Sequence, residues 1–378
     1  MDTSNKIKEI NGTGGIKAAD ASGRVERMKK EALYELLHDR EKDIKRQCRD
    51  IVKKVAGRYV PPKDCIFWDT GLLANGLMET AGDGETLEAV RQYFDRWMKK
   101  GMPVYYVDDT LCGVALLRLY RATMEEKYRS GADRMADYLL ALAETEADGA
   151  GSIPYRHSQK NGHVYVDGIG MMCPFLARYG VETGRAEAVR LAVTQIENML
   201  AYGMDEKTGL PYHGFRYENR VKYGIIGWGR AVGWLFMGMK GVLEQLGGTN
   251  AQRFLPAPEY GKLERAFTDL LKAVSLYQRE DGGFSWQLEA MEGPADSSAT
   301  AMIAQALHFA VMNGMAKGTE WEKKLRSAAL FLCGCEKDGK VYRCLGECMG
   351  FSQYPQVYGA YPWSLGTALE VIGSGYGV

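Results

Sequence analysis

Within the stretch from His163 to Gly180, Asp167 is the only acid, at the head of an apolar, glycine-rich run that reads as the start of a buried helix. A carboxylate entering such a run belongs at the helix N-terminus, where free backbone N–H groups and the positive end of the dipole receive it. Ile169, Met171, Met172, Phe175 and Leu176 behind it would exclude water and favour its acid form, the state a general acid needs. A lone Asp in this position is ordinarily a helix cap and nothing more. What shifts the weight is that similar polar-to-apolar junctions recur along the chain, each bringing Asp, His, Arg or Trp to the same kind of place.

In order, these junctions offer Trp68 and Asp69, Asp108 and Asp109, His157 and Asp167, then His213, Trp228, Arg230 and Trp234. Later ones offer D-G-G-F-S-W-Q (281 to 287), D-S-S (296 to 298) and a Tyr-rich run ending at Trp363. Asp69, Asp109 and Asp296 precede Thr or Ser, and Asp69 and Asp296 read best as caps. The Trp residues could fill a core, as large aromatics do. His157 lies in a polar loop. Arg230 sits between two Trp residues with no sequence-local acid, and such a guanidinium waits for a carboxylate. Aromatic platforms, an Arg, two His and a few carboxylates suit a sugar acid. The chain has no Gly-rich phosphate loop, no nucleophilic Ser or Cys arrangement and no H-E-x-x-H, and no metal or cofactor is expected.

The elements that would position these residues alternate in character. Segments polar on one side (85 to 100, 125 to 143, 185 to 203, 259 to 278, 319 to 333) take turns with segments apolar nearly all round (69 to 81, 109 to 121, 167 to 180, 230 to 246, 297 to 314, 362 to 373). A helix apolar all round is buried and one with a polar face lies outside. With an amphipathic helix between Val25 and Ala56 added, the chain reads as six outer–inner hairpins closed into an all-α toroid, an (α/α)6 barrel. Linkers before the inner helices are the longer ones and carry short β-like pieces, Gly162 to Val166 and Leu210 to Tyr217. They should pile up at one mouth, where a site belongs.

The 378 residues show no linker that would divide them, so residues 24–378 are expected to form one catalytic domain behind a loose arm over residues 1–23. Forty-eight basic and 48 acidic residues cancel, so nothing global recruits nucleic acid or a membrane. No apolar run approaches bilayer length, the N-terminus lacks a signal peptide's apolar core, and the scattered Cys read as reduced thiols, all pointing to the cytoplasm. Cys333, Cys335, Cys344 and Cys348 crowd together without zinc-ribbon spacing. A monomer or a small homo-oligomer both remain open.

Three motifs carry a resemblance: V-D-G-I-G-M-M-C-P-F-L at 166, His213 followed by W-G-R-A-V-G-W at 228, and D-D-T-L-C-G at 108. From about residue 60 onward the chain resembles the unsaturated glucuronyl and rhamnogalacturonyl hydrolases, glycoside hydrolase families 88 and 105, and more closely 105. It departs from their pattern at Gly168, where a second Asp is usual, and at Ala231 and Val232, where Gly-Asn is usual. The resemblance implies a barrel that takes a 4,5-unsaturated uronic acid off the non-reducing end of a pectin-derived oligosaccharide by hydrating the C4=C5 enol ether. It implies Asp167 as acid and base, Asp108 assisting, and His157, His213, Trp228, Arg230 and Trp234 at the sugar; Trp68, Asp109 and Trp363 are expected beside them from their place at the same junctions. A saturated-sugar glycosidase using Asp108 and Asp167, a sugar 2-epimerase using His157 and His213, and a non-catalytic sugar-binding protein are the rival readings.

Overall fold

The structure is a computed structural model that describes residues 18–38, 66–80, 83–156, 162–216, 218–247 and 253–376, with positions 52 and 55. Twelve α-helices form among them, in outer–inner succession. Helix α1 (Ala18–Leu37) precedes α2 (Trp68–Thr80); α3 (Gly84–Lys99) precedes a 3-10 segment, Val107–Cys112, that runs into α4 (Gly113–Thr123). Then α5 (Glu126–Glu146) precedes α6 (Val166–Thr183), and α7 (Ala186–Tyr202) precedes α8 (Gly229–Leu246). The last pairs are α9 (Ala257–Ser275) with α10 (Ser297–Met312) and α11 (Thr319–Cys335) with α12 (Pro362–Gly373). Each even-numbered helix packs on the next, the 3-10 segment supplying most of the contact between α4 and α6, and α12 packs back on α2 to close the ring. The odd-numbered helices lie outside it. The expected six hairpins are therefore present, in the expected places. Helix α1 begins at Ala18, so residues 18–23, expected in the arm, are helical. The rest of the arm lies outside the described residues, as does most of the expected helix beyond residue 38.

The ring closes tightly because glycines line its seams. A Cβ on Gly76 would fall 2.1 Å from the Gly366 carbonyl oxygen, and one on Gly366 2.4 Å from that of Leu72, so α2 and α12 touch backbone to backbone. Between α6 and α8 the same holds for Gly170, 2.5 Å from the Trp234 ring, and Gly241, 2.6 Å from Pro174. A Cβ on Gly113 of α4 would lie 2.3 Å from Phe175 of α6. Such seams fix the register of neighbouring helices, since any sliding would bring side chains into the contact.

Long linkers gather at one mouth. There β1 (His163–Tyr165), β2 (Gly214–Arg216) and β3 (Lys222–Tyr223) form an antiparallel sheet, while β6 (Cys344–Leu345) pairs with β7 (Tyr358–Gly359). A small hairpin of β4 (Glu336–Lys337) and β5 (Lys340–Val341) follows α11 and meets α1 through Glu336, which takes Arg24 and Arg27. Toward the other mouth the C-terminal halves of the inner helices carry ion pairs: Arg118 with Glu79, Lys240 with Glu370, and Glu182 with Arg121 at 3.1 Å and Arg178 at 3.6 Å. Of these cations Arg121 lies in a last helical turn and answers its negative end. No helix among the described residues is long and apolar enough to cross a membrane.

Gly76→Ala should therefore lower stability by about 1–3 kcal/mol through overpacking. Gly84→Ala, whose Cβ would meet nothing within 4 Å, should not destabilise. The two denaturation midpoints test the seam directly, and equal midpoints would refute it.

Candidate active site

Asp167 and His213 are brought together by strand pairing. Strand β1 runs straight into α6, whose first turn holds Asp167. Tyr165 at the end of β1 faces Gly214 at the start of β2, which carries His213, one residue earlier, to the same helix start. The Val166 N–H donates to the His213 carbonyl at 2.9 Å and seals the junction. His213 is 1 % exposed, and its Nε2 lies 3.0 Å from Asp167 Oδ2. The approach is off the line of a hydrogen bond, so Oδ2 is buried without one. On the other side of the ring, His213 Nδ1 lies 3.0 Å from the Tyr354 hydroxyl.

Aromatic rings extend from this pair in both directions. Tyr155 stacks on Tyr165 at 4.8 Å and 13°. Phe351 rests 4.1 Å from Tyr165, over Gly214, where a Cβ would come 3.0 Å from the Phe351 ring. Trp228 lies 4.7 Å from His213, Arg230 sits 4.8 Å over Trp228 and 5.8 Å over Trp363, and Trp68 bridges Trp363 at 4.9 Å and Trp234 at 6.0 Å. The candidates His213, Trp228, Arg230, Trp234, Trp68 and Trp363 thus form one connected wall with Asp167. The indole N–H groups of Trp228 and Trp234 are buried in it without a hydrogen bond.

Asp108 is wholly buried and both its oxygens are occupied, one by the Tyr155 hydroxyl and the other by Arg156. Arg156 lies between the Tyr155 ring at 4.4 Å and the Tyr106 ring at 4.8 Å. Asp108 therefore holds Tyr155 and Arg156, and through Tyr155 the near edge of the aromatic wall. Asp109 is spent on the backbone: its Oδ2 accepts from the N–H groups of Tyr105 at 2.8 Å and Tyr106 at 3.1 Å, capping the 3-10 segment. Burial nevertheless raises its carboxyl to about 7. His157 lies outside the described residues.

Arg230 departs from the expectation of a guanidinium without a partner. It is 2 % exposed, donates to the Leu345 carbonyl at 2.9 Å, the Gly346 carbonyl at 2.8 Å and the Ser298 hydroxyl at 3.2 Å, and has Asp296 Oδ2 at 3.9 Å. Its planar fork bridges two consecutive carbonyls and so pins β6 against α8 and α10. Asp296 is the expected cap of α10, accepting from Ser298 N at 2.9 Å, and it also takes Leu345 N at 3.1 Å. Sequence reasoning missed Tyr155, Arg156 and Tyr165; only their position just before Asp167 could have flagged them. Cys333 is buried, Cys335 and Cys344 are buried free thiols, and Cys348 is half-buried near Tyr165, Tyr354 and Asp167.

The model of Glycosyl Hydrolase Family 88 matches residues 43–369. The unsaturated rhamnogalacturonyl hydrolase YesR of Bacillus subtilis (strain 168) is 24 % identical over 359 residues, spanning 90 % of this chain and 96 % of that protein. The crystal structure of a possible member of the GH105 family from Klebsiella pneumoniae subsp. pneumoniae MGH 78578 has a TM-score of 0.81 at 16 % identity, covering 97 % of this chain and 95 % of its own. The unsaturated glucuronyl hydrolase of Bacillus sp. GL1 gives 0.68 at 18 % identity, covering 94 % of each chain. These two structures share the fold.

Two measurements follow from the geometry. Asp109 binds its proton more tightly folded, at about 7, than the ordinary carboxyl value of 3.8, so stability falls as pH rises between those values and levels off above them. Asp109→Asn keeps an accepting oxygen and should flatten that slope; a melting temperature that follows pH as in the wild type would contradict it. Arg230→Lys keeps the charge but cannot bridge Leu345 and Gly346, and should lower kcat/KM by a few kcal/mol of transition-state binding. An unchanged kcat/KM would show that the bridge is dispensable.

Proposed function

Because this chain belongs to Glycosyl Hydrolase Family 88, we propose that it releases a 4,5-unsaturated uronic acid from the non-reducing end of lyase-generated oligosaccharides, with rhamnogalacturonan fragments of pectin as the substrate class. One observation above all supports this: buried polar atoms without a hydrogen bond, Asp167 Oδ2 and the Trp228 and Trp234 indole N–H groups, belong to one connected aromatic wall. Each such atom costs about 1–3 kcal/mol unless something fills its hydrogen bond. A sugar does so, with ring faces for Trp and hydroxyls for the unpaired atoms. The preference for rhamnogalacturonan leans on the likeness to YesR. The free thiols support a reducing compartment, the cytoplasm.

In this reading Asp167 protonates C4 of the enol ether, positive charge develops at C5, and a water activated by the resulting carboxylate adds there. The hemiketal opens and the partner sugar leaves. A single carboxylic acid suffices, which agrees with Asp108 having neither oxygen open. A displacement at the anomeric carbon would need a second carboxylate facing the bond. Asp108 acts instead by holding Tyr155 and Arg156 beside the sugar, while Arg230, behind Trp228, holds the loop that carries Gly346 and lends the mouth a positive field.

Loss of the near-ultraviolet absorbance of the C4=C5 carboxylate, with unsaturated disaccharides from pectin and from glycosaminoglycans, tests the assignment. Asp167→Asn should cost at least roughly 100- to 10,000-fold in kcat with little change in affinity. In heavy water the released product should carry one deuterium at C4. A product without solvent hydrogen at C4, or comparable turnover of a saturated uronide, would replace this mechanism with ordinary displacement.

A further inference from the structure

His213 has two ring nitrogens, and which of them carries the proton decides what it does for Asp167. We infer that Tyr354, on the loop between β6 and β7, is a positioning residue that keeps the proton of neutral His213 on Nε2, facing Asp167. The inference rests on the catalytic reading above only for its kinetic consequence.

Three observations carry it. The Tyr354 hydroxyl accepts from the Ile225 N–H at 3.3 Å, so one lone pair is used and its own O–H is left to donate. The acceptor within reach is His213 Nδ1 at 3.0 Å. An Nδ1 that accepts must be bare, which places the ring proton on Nε2, 3.0 Å from Asp167 Oδ2. The reverse tautomer would set two lone pairs, those of Nε2 and a carboxylate oxygen, against each other in a buried site. Gly224 shows how closely this corner is built: with φ +84°, a Cβ there would lie 2.4 Å from His213 Cβ and 2.7 Å from the Tyr354 oxygen.

The groups facing His213 are few. Asp167 comes from α6, Tyr165 from β1 at 4.9 Å, Trp228 with Arg230 behind it from α8, and Phe351 and Tyr354 from the loop, where Cys348 lies near Asp167. Burial raises the Tyr354 and Tyr165 phenols, and the Cys348 thiol to about 12, so these keep their protons near neutral pH.

The chemistry follows from the tautomer. With Nε2 protonated, His213 cannot take the proton of Asp167, which stays available for C4. Once it has been delivered, the nearby Nε2–H dipole, though off the line of a hydrogen bond, favours the carboxylate that remains, the state that must activate water. With Nδ1 protonated instead, a bare Nε2 would accept the Asp167 proton and compete with C4. His213 keeps its own proton throughout.

The test is the nitrogen spectrum of the 15N-histidine-labelled protein, with the His213 signals assigned by their loss in His213→Asn. The wild type should show a bare Nδ1 and a protonated Nε2. Tyr354→Phe keeps the ring and should populate the other tautomer, lower kcat on the order of 10- to 100-fold with KM nearly unchanged, and displace the kcat–pH profile. A wild-type spectrum with Nδ1 protonated would overturn the inference even if the variant fails to fold, and so would a variant with unchanged tautomer and pH profile. A wild type that leaves unsaturated disaccharides intact would instead sink the catalytic reading and leave the tautomer standing.

Discussion

Backbone contact across the inner ring is the constraint on which the rest depends. Where Gly76 meets Gly366 there is no room for a methyl group, so α2 and α12 can pack only in one register, and the closed ring transmits that register to every other inner helix. All six inner helices then start at one mouth, and their N-terminal ends add a positive field there. This accounts for the acids found at those starts: Asp108 in the 3-10 lead, Asp167 in the first turn of α6, Asp296 capping α10.

Those three carboxylates nevertheless do different work, because their second partners differ. Asp296 is consumed by the start of α10, the β6 backbone and its neighbour Arg230; Asp108 is consumed by Tyr155 and Arg156. Asp296 and Asp167 each keep one buried oxygen without a hydrogen bond, but that of Asp296 lies 3.9 Å from the Arg230 guanidinium, whereas that of Asp167 lies against a histidine delivered by the neighbouring strand. One carboxyl thus faces a histidine within the aromatic wall, while the other two are tied to cations and neighbouring groups of the fold.

The architecture was legible in the residues because helix burial leaves a periodic trace: helices apolar all round could only be the inner ring, and the longer linkers before them could only crowd one mouth. Asp296 as a cap was legible for a local reason, the Ser that follows it. What was not legible depends on distant pairing. The acceptors of Arg230 lie 115 and 116 residues away, and the partner of His213 Nδ1 lies 141 away. Nothing near residue 230 reports that its fork is taken. Likewise Asp108 looked open until Tyr155 and Arg156, 47 and 48 residues on, closed over it.

The ion pairs among Glu79, Arg118, Arg121, Arg178, Glu182, Lys240 and Glu370 sit at the far end of the ring. The inner helices between them and the aromatic mouth are packed with side chains that solvent does not reach, Leu73, Leu77, Phe175 and Phe236 among them. An apolar layer therefore keeps the charges of the far end apart from those of the mouth, so that one end can be rewritten by substitution without addressing the other.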